Sequence, residues 1–246
     1  MDILIVGVPG FVAGVLLERL TQVLPHVGKI LLLRDARRGT RPFNGESDLV
    51  ESVSPIGLAT ERLEDGLIKF LSGRIQWIDS DFNLSTFGLS NDSRRALQSV
   101  EVVFQCPDLD SLATLSVEAH LQVVTEHLRF MRWLQQHASS LRVLVMLGSA
   151  IRAEDPTGLD GQAAAPTNVA GAPQDTLKYL SALTSVVLLE TECERLSVAS
   201  AYHSPSCFLQ GLWHAAAADQ CSIPSVVVLN AFHIGPALKH PFPGYF

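Results

Sequence analysis

Short runs of consecutive apolar residues alternate along the chain with segments whose apolar residues recur every three or four positions. The strand-like runs lie at residues 3–6, 29–33, 74–78, 100–105, 141–147 and 225–229. A continuous apolar run suits a strand that is covered on both faces, as in a parallel sheet between helices. We therefore expect an α/β fold, a Rossmann-type doubly wound parallel sheet of about six strands flanked by helices, in the order 3-2-1-4-5-6.

The segments between these runs have helical periodicity. After the first strand, the apolar positions at helical spacing are Val12, Val15, Leu16, Leu20 and Val23. Longer helices are expected over residues 112–136, 176–195 and 207–220. Residues 35–61 and 153–174 have the composition of loops, the second being rich in Ala, Pro and Gly. We expect residues 1–246 to form one nucleotide-binding domain.

A glycine-rich turn follows the first strand and opens the first helix. It contains Gly7 and Gly10 in a GxxG spacing, with Phe11 and Val12 next and the small residue Ala13 at the third position. The glycines permit a tight turn and let the backbone approach a pyrophosphate, while the N–H groups of the helix N-terminus attract the phosphates. The turn predicts a dinucleotide site; the alternative is a βα turn that binds no ligand.

The residue that ends the second strand distinguishes the two nicotinamide cofactors. An acidic residue there hydrogen-bonds the ribose 2′-hydroxyl of NAD, whereas an arginine accommodates the 2′-phosphate of NADP. Arg34 stands at this position beside Asp35, with three further arginines close behind. This pattern favours NADP (NADPH); the alternative is a solvated basic loop.

Composition excludes several classes of protein. The 246 residues are 47% apolar with a net charge of −7, which suits a packed core and disfavours contact with nucleic-acid phosphates. No apolar run approaches the ~20 residues of a membrane span, and the start MDILIVG is expected to be a strand rather than a signal peptide. Four scattered cysteines indicate a reduced, cytoplasmic location, and the eight histidines lack metal-ligand spacing, so no metal is expected.

Several motifs occur in the order found in a known family. ILIVGVPGFVAG opens the chain, VGKILLLR covers the second strand, SDF and FGLS follow the third, and PFPGY lies near residue 245. Together they resemble the extended short-chain dehydrogenases of the fatty acyl-CoA reductase (male sterility) and thioester reductase type. The resemblance implies a Rossmann-type domain, NADPH and an acyl thioester substrate. It also implies that the family's C-terminal substrate region is absent or truncated here.

The same resemblance assigns roles to individual residues. Ser149 aligns with the catalytic Ser/Thr that hydrogen-bonds the substrate carbonyl, and Tyr202 with the tyrosine that donates the proton. Asp81 and Phe82 align with the segment that contacts adenine. Gln105 stands in the segment beside the cofactor.

The catalytic motif is degenerate. The family's Tyr-x-x-x-Lys becomes Tyr202 with Ser206 in place of lysine, and the other candidate, Tyr179, also lacks the lysine. The family's helix Asn falls at about Gln122. Because that lysine binds the nicotinamide ribose and lowers the pKa of the phenol, its loss puts ordinary reduction in question.

Three functions follow as hypotheses. The first is an NADPH-dependent reductase that converts an acyl thioester, on CoA or an acyl carrier protein, to an aldehyde or alcohol. The second is a non-redox release or cyclisation domain of a polyketide or peptide synthase. The third is a structural pseudoenzyme within such an assembly. His203 and His214 are weaker candidates for a replacement base.

Overall fold

The computed structural model describes residues 1–7, 11–24, 26–35, 73–106, 115–148, 172–220 and 223–230. The strands within these ranges are β1 (Asp2–Val6), β2 (Ile30–Asp35), β3 (Ile75–Ser80), β4 (Val100–Gln105), β5 (Val143–Gly148) and β6 (Ser225–Asn230). The helices are α1 (Phe11–Val23), α2 (Asn91–Gln98), α3 (Val117–His137), α4 (Pro173–Ala182), α5 (Val186–Ala199) and α6 (Pro205–Gln220).

The six strands form one sheet in the order β3-β2-β1-β4-β5-β6. This confirms the predicted doubly wound α/β fold and its strand order. The pairs β1–β2, β1–β4 and β2–β3 are parallel, with Val6 opposite both Leu33 and Gln105 in register. Parallel pairing places the carboxyl ends of these strands at one edge of the sheet, where ligands bind in open α/β folds.

The described chain divides into two compact units. The first contains β1 to β4 with α1 and α2. Its core joins Ile3 and Ile5 of β1, Leu32 of β2, and Ala13 and Leu17 of α1, all of which are buried. The whole apolar run of β1 is inaccessible to solvent, as expected for a strand that is covered on both faces.

The second unit contains α3 to α6 and β6. Helix α6 packs against α3, α4 and α5, and its residues 208–217 are all buried. A helix that is apolar on every side suits this central position. Trp213 of α6 meets His127 of α3 edge to face, with ring centroids 5.6 Å apart.

One helical prediction is corrected by the structure, and one helix was not predicted. Residues 176–195 do not form one helix, because the chain leaves the helical conformation at Leu183 and restarts at Val186 as α5. The Ser185 side chain caps α5 by accepting from the backbone N–H of Leu188, which satisfies an N–H that lacks an intrahelical partner. Helix α2, similarly capped by Ser90, was not predicted.

The remaining predicted bounds agree to within a few residues. Helix α3 is described from Val117, so the predicted start of that helix at residues 112–114 lies outside the described residues. The loops predicted at 35–61 and 153–174 lie outside them too, apart from their end residues.

Candidate functional site

The turn after β1 begins at a glycine with an unusual backbone conformation. Gly7 has φ of 103°, a value that residues with a side chain rarely adopt. Helix α1 then begins at Phe11, with Val12 partly buried beside it. Gly10 lies outside the described residues. The described part of the turn is thus a glycine directly after a buried strand, with a helix N-terminus four residues later, and the nucleotide itself stays a prediction.

The other predicted cofactor residues of the first unit lie at the ends of the neighbouring strands. Arg34 is the penultimate residue of β2, Asp81 directly follows β3, and Gln105 ends β4. Since β1 to β4 are parallel, the fold brings these residues and Gly7 to the same edge of the sheet.

Arg34 is held by a partner that the sequence analysis missed. Its Nε donates to Asp79 Oδ1 at 2.6 Å, and its Nη2 lies 2.5 Å from the same oxygen. Its guanidinium carbon lies 5.7 Å from the centroid of the Trp77 ring. Arg34 and Asp79 are direct neighbours in the β2–β3 register, so their side chains lie on one face of the sheet.

The segment after β3 forms a tight, ordered turn around Asp81. The Asp81 N–H donates to the carbonyl of Phe87 at 2.9 Å, and Asp81 Oδ1 accepts from the N–H of Asn83 at 2.9 Å. Phe82 is buried and meets Phe87 edge to face at 5.8 Å. Phe87 has φ of 56°, which is unusual for a bulky side chain and indicates that this turn is tightly determined by its contacts.

Gln105 and Cys106 leave the sheet beside β1. The Gln105 side chain is fully buried, and the N–H of Cys106 donates to the carbonyl of Val6 at 2.9 Å. Burial raises the pKa of the Cys106 thiol to about 12, so it stays protonated at neutral pH. A thiol in this state is a poor nucleophile.

Tyr202 lies in the second unit, between α5 and α6. It is 4% exposed, its hydroxyl oxygen is buried, and its ring meets Phe208 edge to face at 5.9 Å. A Cβ built on Gly211 of α6 would lie 2.6 Å from Tyr202 Cζ and closer still to the hydroxyl. The phenol therefore packs directly on the α6 backbone.

The other residues of the degenerate motif are also placed in the second unit. Ser206 is in the first turn of α6. Tyr179 of α4 is half exposed and donates a hydrogen bond to the Glu192 carboxylate of α5. Gln122, at the position of the family Asn, is exposed and donates to Glu126 Oε1 at 2.9 Å. Ser149 lies outside the described residues.

The histidines considered as bases differ in environment. His203 is exposed, whereas His214 is buried, and burial lowers the pKa of its imidazole to about 4. Within the described ranges, no three His, Cys, Asp or Glu side chains come together in a group that could hold a metal ion. Among the same residues, no helix is both long enough and apolar enough to cross a membrane.

The N-terminal half of the chain matches the model of a known protein family. Residues 5–124 match the model of the family described as "Male sterility protein". This match covers just under half of the 246 residues. The predicted resemblance to extended short-chain dehydrogenases of the thioester reductase type is thereby confirmed. The match to this NAD(P)-binding family model supports a nicotinamide cofactor.

One solved structure with a TM-score above 0.5 agrees with the fold described above. The reductase domain of a non-ribosomal peptide synthetase from Mycobacterium tuberculosis matches with a TM-score of 0.51 and 14% identity, covering 93% of this chain and 47% of that chain. A thiolation-reductase di-domain from an archaeal non-ribosomal peptide synthetase matches with a TM-score of 0.42 and 14% identity, over 61% of this chain and 35% of that chain. The chain thus spans about half or less of these two structures. No curated protein matches it significantly by sequence.

Asp79 and Trp77 are the site residues that sequence reasoning missed. Their relation to Arg34 depends on the β2–β3 register, which pairs residues 45 positions apart. A signal that could have found them is the spacing within β3. Trp77 and Asp79 are two residues apart and so point to the same face of the strand.

Proposed function

We propose that this chain binds NADPH and reduces an acyl thioester, carried on CoA or on an acyl carrier protein, to an aldehyde or alcohol. One observation carries the proposal. Gly7, with its positive φ, and Arg34 lie at the ends of adjacent parallel strands inside the segment that matches the male sterility family model. A glycine turn and an arginine at these two positions are the features that a phosphorylated dinucleotide requires.

Each proposed cofactor residue has a distinct role. Gly7, Gly10, Phe11 and Val12 form the turn and helix start that contact the pyrophosphate. Arg34 binds the 2′-phosphate through its guanidinium. The adenine is contacted by Asp81 and Phe82, whose positions are fixed by the turn after β3. Gln105 borders the nicotinamide half of the site.

The proposed chemistry is a hydride reduction with loss of the thiol. NADPH, when bound, supplies a hydride to the thioester carbonyl carbon and leaves as NADP⁺. The C–S bond breaks as the carbonyl re-forms, and the proton that the oxygen received leaves with the sulfur as the free thiol, giving the aldehyde. Reduction of that aldehyde to an alcohol would consume a second NADPH and a second proton. Ser149 donates a hydrogen bond to the carbonyl oxygen, and Tyr202 donates the proton that this oxygen needs as charge develops on it.

Tyr202 acts in this scheme from a buried position. Its hydroxyl lies against Gly211, and we expect the ring to rotate away from α6 when it donates to a substrate. Ser206 replaces the family lysine, so the ammonium group that assists the phenol is missing from the motif. We therefore expect slow turnover compared with an intact motif, by the factor of about 10²–10⁴ typical of a lost acid–base group.

The burial of Tyr202 and the replacement of the family lysine by Ser206 also favour a second candidate function. A buried phenol without its lysine suits a domain that retains the fold but releases or cyclises a carrier-bound acyl chain without a redox step. In both cases we propose a single domain that works in the cytoplasm as part of a synthase assembly, with no bound metal and no nucleic-acid partner.

The first test is titration of the purified protein with NADPH and NADH, followed by nucleotide fluorescence. Micromolar binding of NADPH, weaker binding of NADH, and thioester-dependent loss of nicotinamide absorbance with aldehyde release would support the reductase. Binding of neither nucleotide up to millimolar concentration would reject it. Product formed from a carrier-bound substrate without nucleotide would favour the second candidate.

Two substitutions then test the proposed catalytic residues. Ser149→Ala and Tyr202→Phe should each lower kcat by about 100-fold or more, with little change in the Kd for NADPH. Tyr179→Phe removes the hydroxyl of the other tyrosine candidate. Loss of activity in Tyr179→Phe but not in Tyr202→Phe would transfer the proton-donor role to Tyr179.

A further inference from the structure

The ion pair between Arg34 and Asp79 combines a buried cation with an exposed anion. The Arg34 side chain is 10% exposed, whereas the Asp79 side chain is 61% exposed. Two nitrogens of the guanidinium share a single carboxylate oxygen, Oδ1. The negative charge therefore faces solvent beside the arginine.

The Trp77 ring also contacts the Arg34 guanidinium. The Arg34 guanidinium carbon lies 5.7 Å from the Trp77 ring centroid, within the range of a cation–π contact. The Ser80 hydroxyl also donates to the backbone carbonyl of Arg34 at 3.0 Å, which ties β2 to β3 at this point. Arg34 is thus held in place by its neighbours on β3, and its position does not depend on a bound phosphate.

We infer that Asp79 is a specificity-determining residue that reduces the preference of this site for NADPH over NADH. The inference rests on the proposed function, in which Arg34 binds the 2′-phosphate. That phosphate is the only difference between the two cofactors, and it must share the guanidinium with a carboxylate of the same sign. Two negative groups on one guanidinium repel each other, whereas a carboxylate can accept a hydrogen bond from the 2′-hydroxyl of NADH.

Removing the Asp79 charge should change the Kd for NADPH and not that for NADH in the same direction, so the ratio of the two Kd values measures its effect. Asp79→Asn removes the negative charge and retains a side chain of the same size with an oxygen that can accept from Arg34. We expect the Kd for NADPH to fall about tenfold at low salt, because the repulsion between carboxylate and phosphate is removed. The Kd for NADH should stay the same or rise. The gain for NADPH should shrink at high salt, because the Asp79 carboxylate is exposed and its charge is screened.

Asp92→Asn is the matched control. Asp92 forms an exposed ion pair with Arg95 on α2, at 3.7 Å, within the same compact unit. Its substitution removes the same charge from the same unit and should change the ratio of the two Kd values by less than about twofold, as expected for an exposed, screened charge that does not contact Arg34. Asp79→Ser provides a second variant should Asp79→Asn fold poorly.

The experiment separates this inference from the function on which it depends. Failure of the wild-type protein to bind either nucleotide would overturn both. Binding of both nucleotides, with an unchanged or reduced preference for NADPH in Asp79→Asn and Asp79→Ser, would overturn the role of Asp79 and leave the proposed function intact. A raised preference in Asp79→Asn but not in Asp92→Asn supports the inference.

Discussion

The phenol ring of Tyr202 fills the space that a side chain at Gly211 would need. Replacing a helical glycine by alanine usually stabilises a helix by about 0.5–1 kcal/mol. Here the new methyl would lie 2.6 Å from Tyr202 Cζ, so the ring or the helix must shift. We expect Gly211→Ala to lower the free energy of unfolding by about 1–3 kcal/mol, as overpacking does, in urea denaturation.

Tyr202→Phe in the Gly211→Ala background identifies the cause. The hydroxyl is the atom nearest to the position that the new methyl would occupy, so its removal should restore part of the lost stability. A double-mutant cycle measures this coupling between the two positions. Equal destabilisation by Gly211→Ala with and without the hydroxyl would show that the phenol is not in the way.

Gly7 has a backbone conformation that a residue with a side chain rarely adopts. With φ of 103°, any side chain at this position is strained, and such strain costs about 1–3 kcal/mol. Gly7→Ala should therefore lower the unfolding free energy by that amount and weaken NADPH binding, because the turn changes shape where the pyrophosphate is proposed to lie. Thermal unfolding and nucleotide fluorescence measure the two effects.

Gly28→Ala is the control for that substitution. A Cβ at Gly28 would lie 3.1 Å from the Met1 carbonyl oxygen and would meet the Asp2 carboxylate, so this variant should also lose stability. Gly28 precedes β2, at the opposite edge of the sheet from the glycine turn. Nucleotide binding should therefore survive in Gly28→Ala, and equal weakening in both variants would point to general unfolding.

The sheet was predictable because its strands obey a simple pattern. Ile3–Val6 and Leu31–Leu33 are continuous apolar runs, and such runs require cover on both faces. The break between α4 and α5 was not predictable by periodicity, since apolar residues continue through Val186 and Val187, which are exposed in the structure. Only the capping role of Ser185 distinguishes two helices from one.

The candidate site was predictable to the extent that it lies within local motifs. The turn at Gly7 and the arginine near the end of β2 follow from short stretches of sequence. The Asp79 partner of Arg34 and the contact of Tyr202 with Gly211 depend on tertiary packing, which periodicity does not describe. The burial of His120 on α3 likewise depends on tertiary packing and does not follow from periodicity.

Two buried histidines predict loss of stability in mild acid. His120 is fully buried, its ring nitrogens lack a hydrogen-bond partner among the described residues, and burial lowers the pKa of its imidazole to about 4. The pKa of His214 is lowered to the same value for the same reason. Because the unfolded chain binds protons near pH 6.5 and the folded chain does not, each histidine should cost about 2 kcal/mol between pH 7 and pH 5.

His120→Leu tests this linkage. The variant removes one titrating group and two unsatisfied polar atoms, so its urea-unfolding free energy should exceed that of the wild type by more at pH 5 than at pH 7. His203→Gln is the control, because that ring is in contact with water in the folded state as well. A constant difference between His120→Leu and the wild type across this range would contradict the linkage.

Asp2 joins the amino-terminal ends of two strands to the end of α2. Its Oδ1 accepts from the Lys29 N–H at 2.8 Å and its Oδ2 from the Ser99 hydroxyl at 2.7 Å. Partial burial raises the pKa of the carboxyl, but the hydrogen bonds from Lys29 and Ser99 outweigh it and lower the pKa below 3.8. The stability that the ionised form contributes is therefore present above pH 3.8 and lost as pH falls through the lowered pKa.

We expect Asp2→Asn to lower the free energy of unfolding by about 1–2 kcal/mol at pH 7, with the deficit shrinking below pH 4. Glu101→Gln, at a partly exposed ion pair with the N-terminus, should cost less than about 1 kcal/mol. An Asp2→Asn deficit that is the same at pH 7 and pH 3 would assign its cost to packing instead of charge.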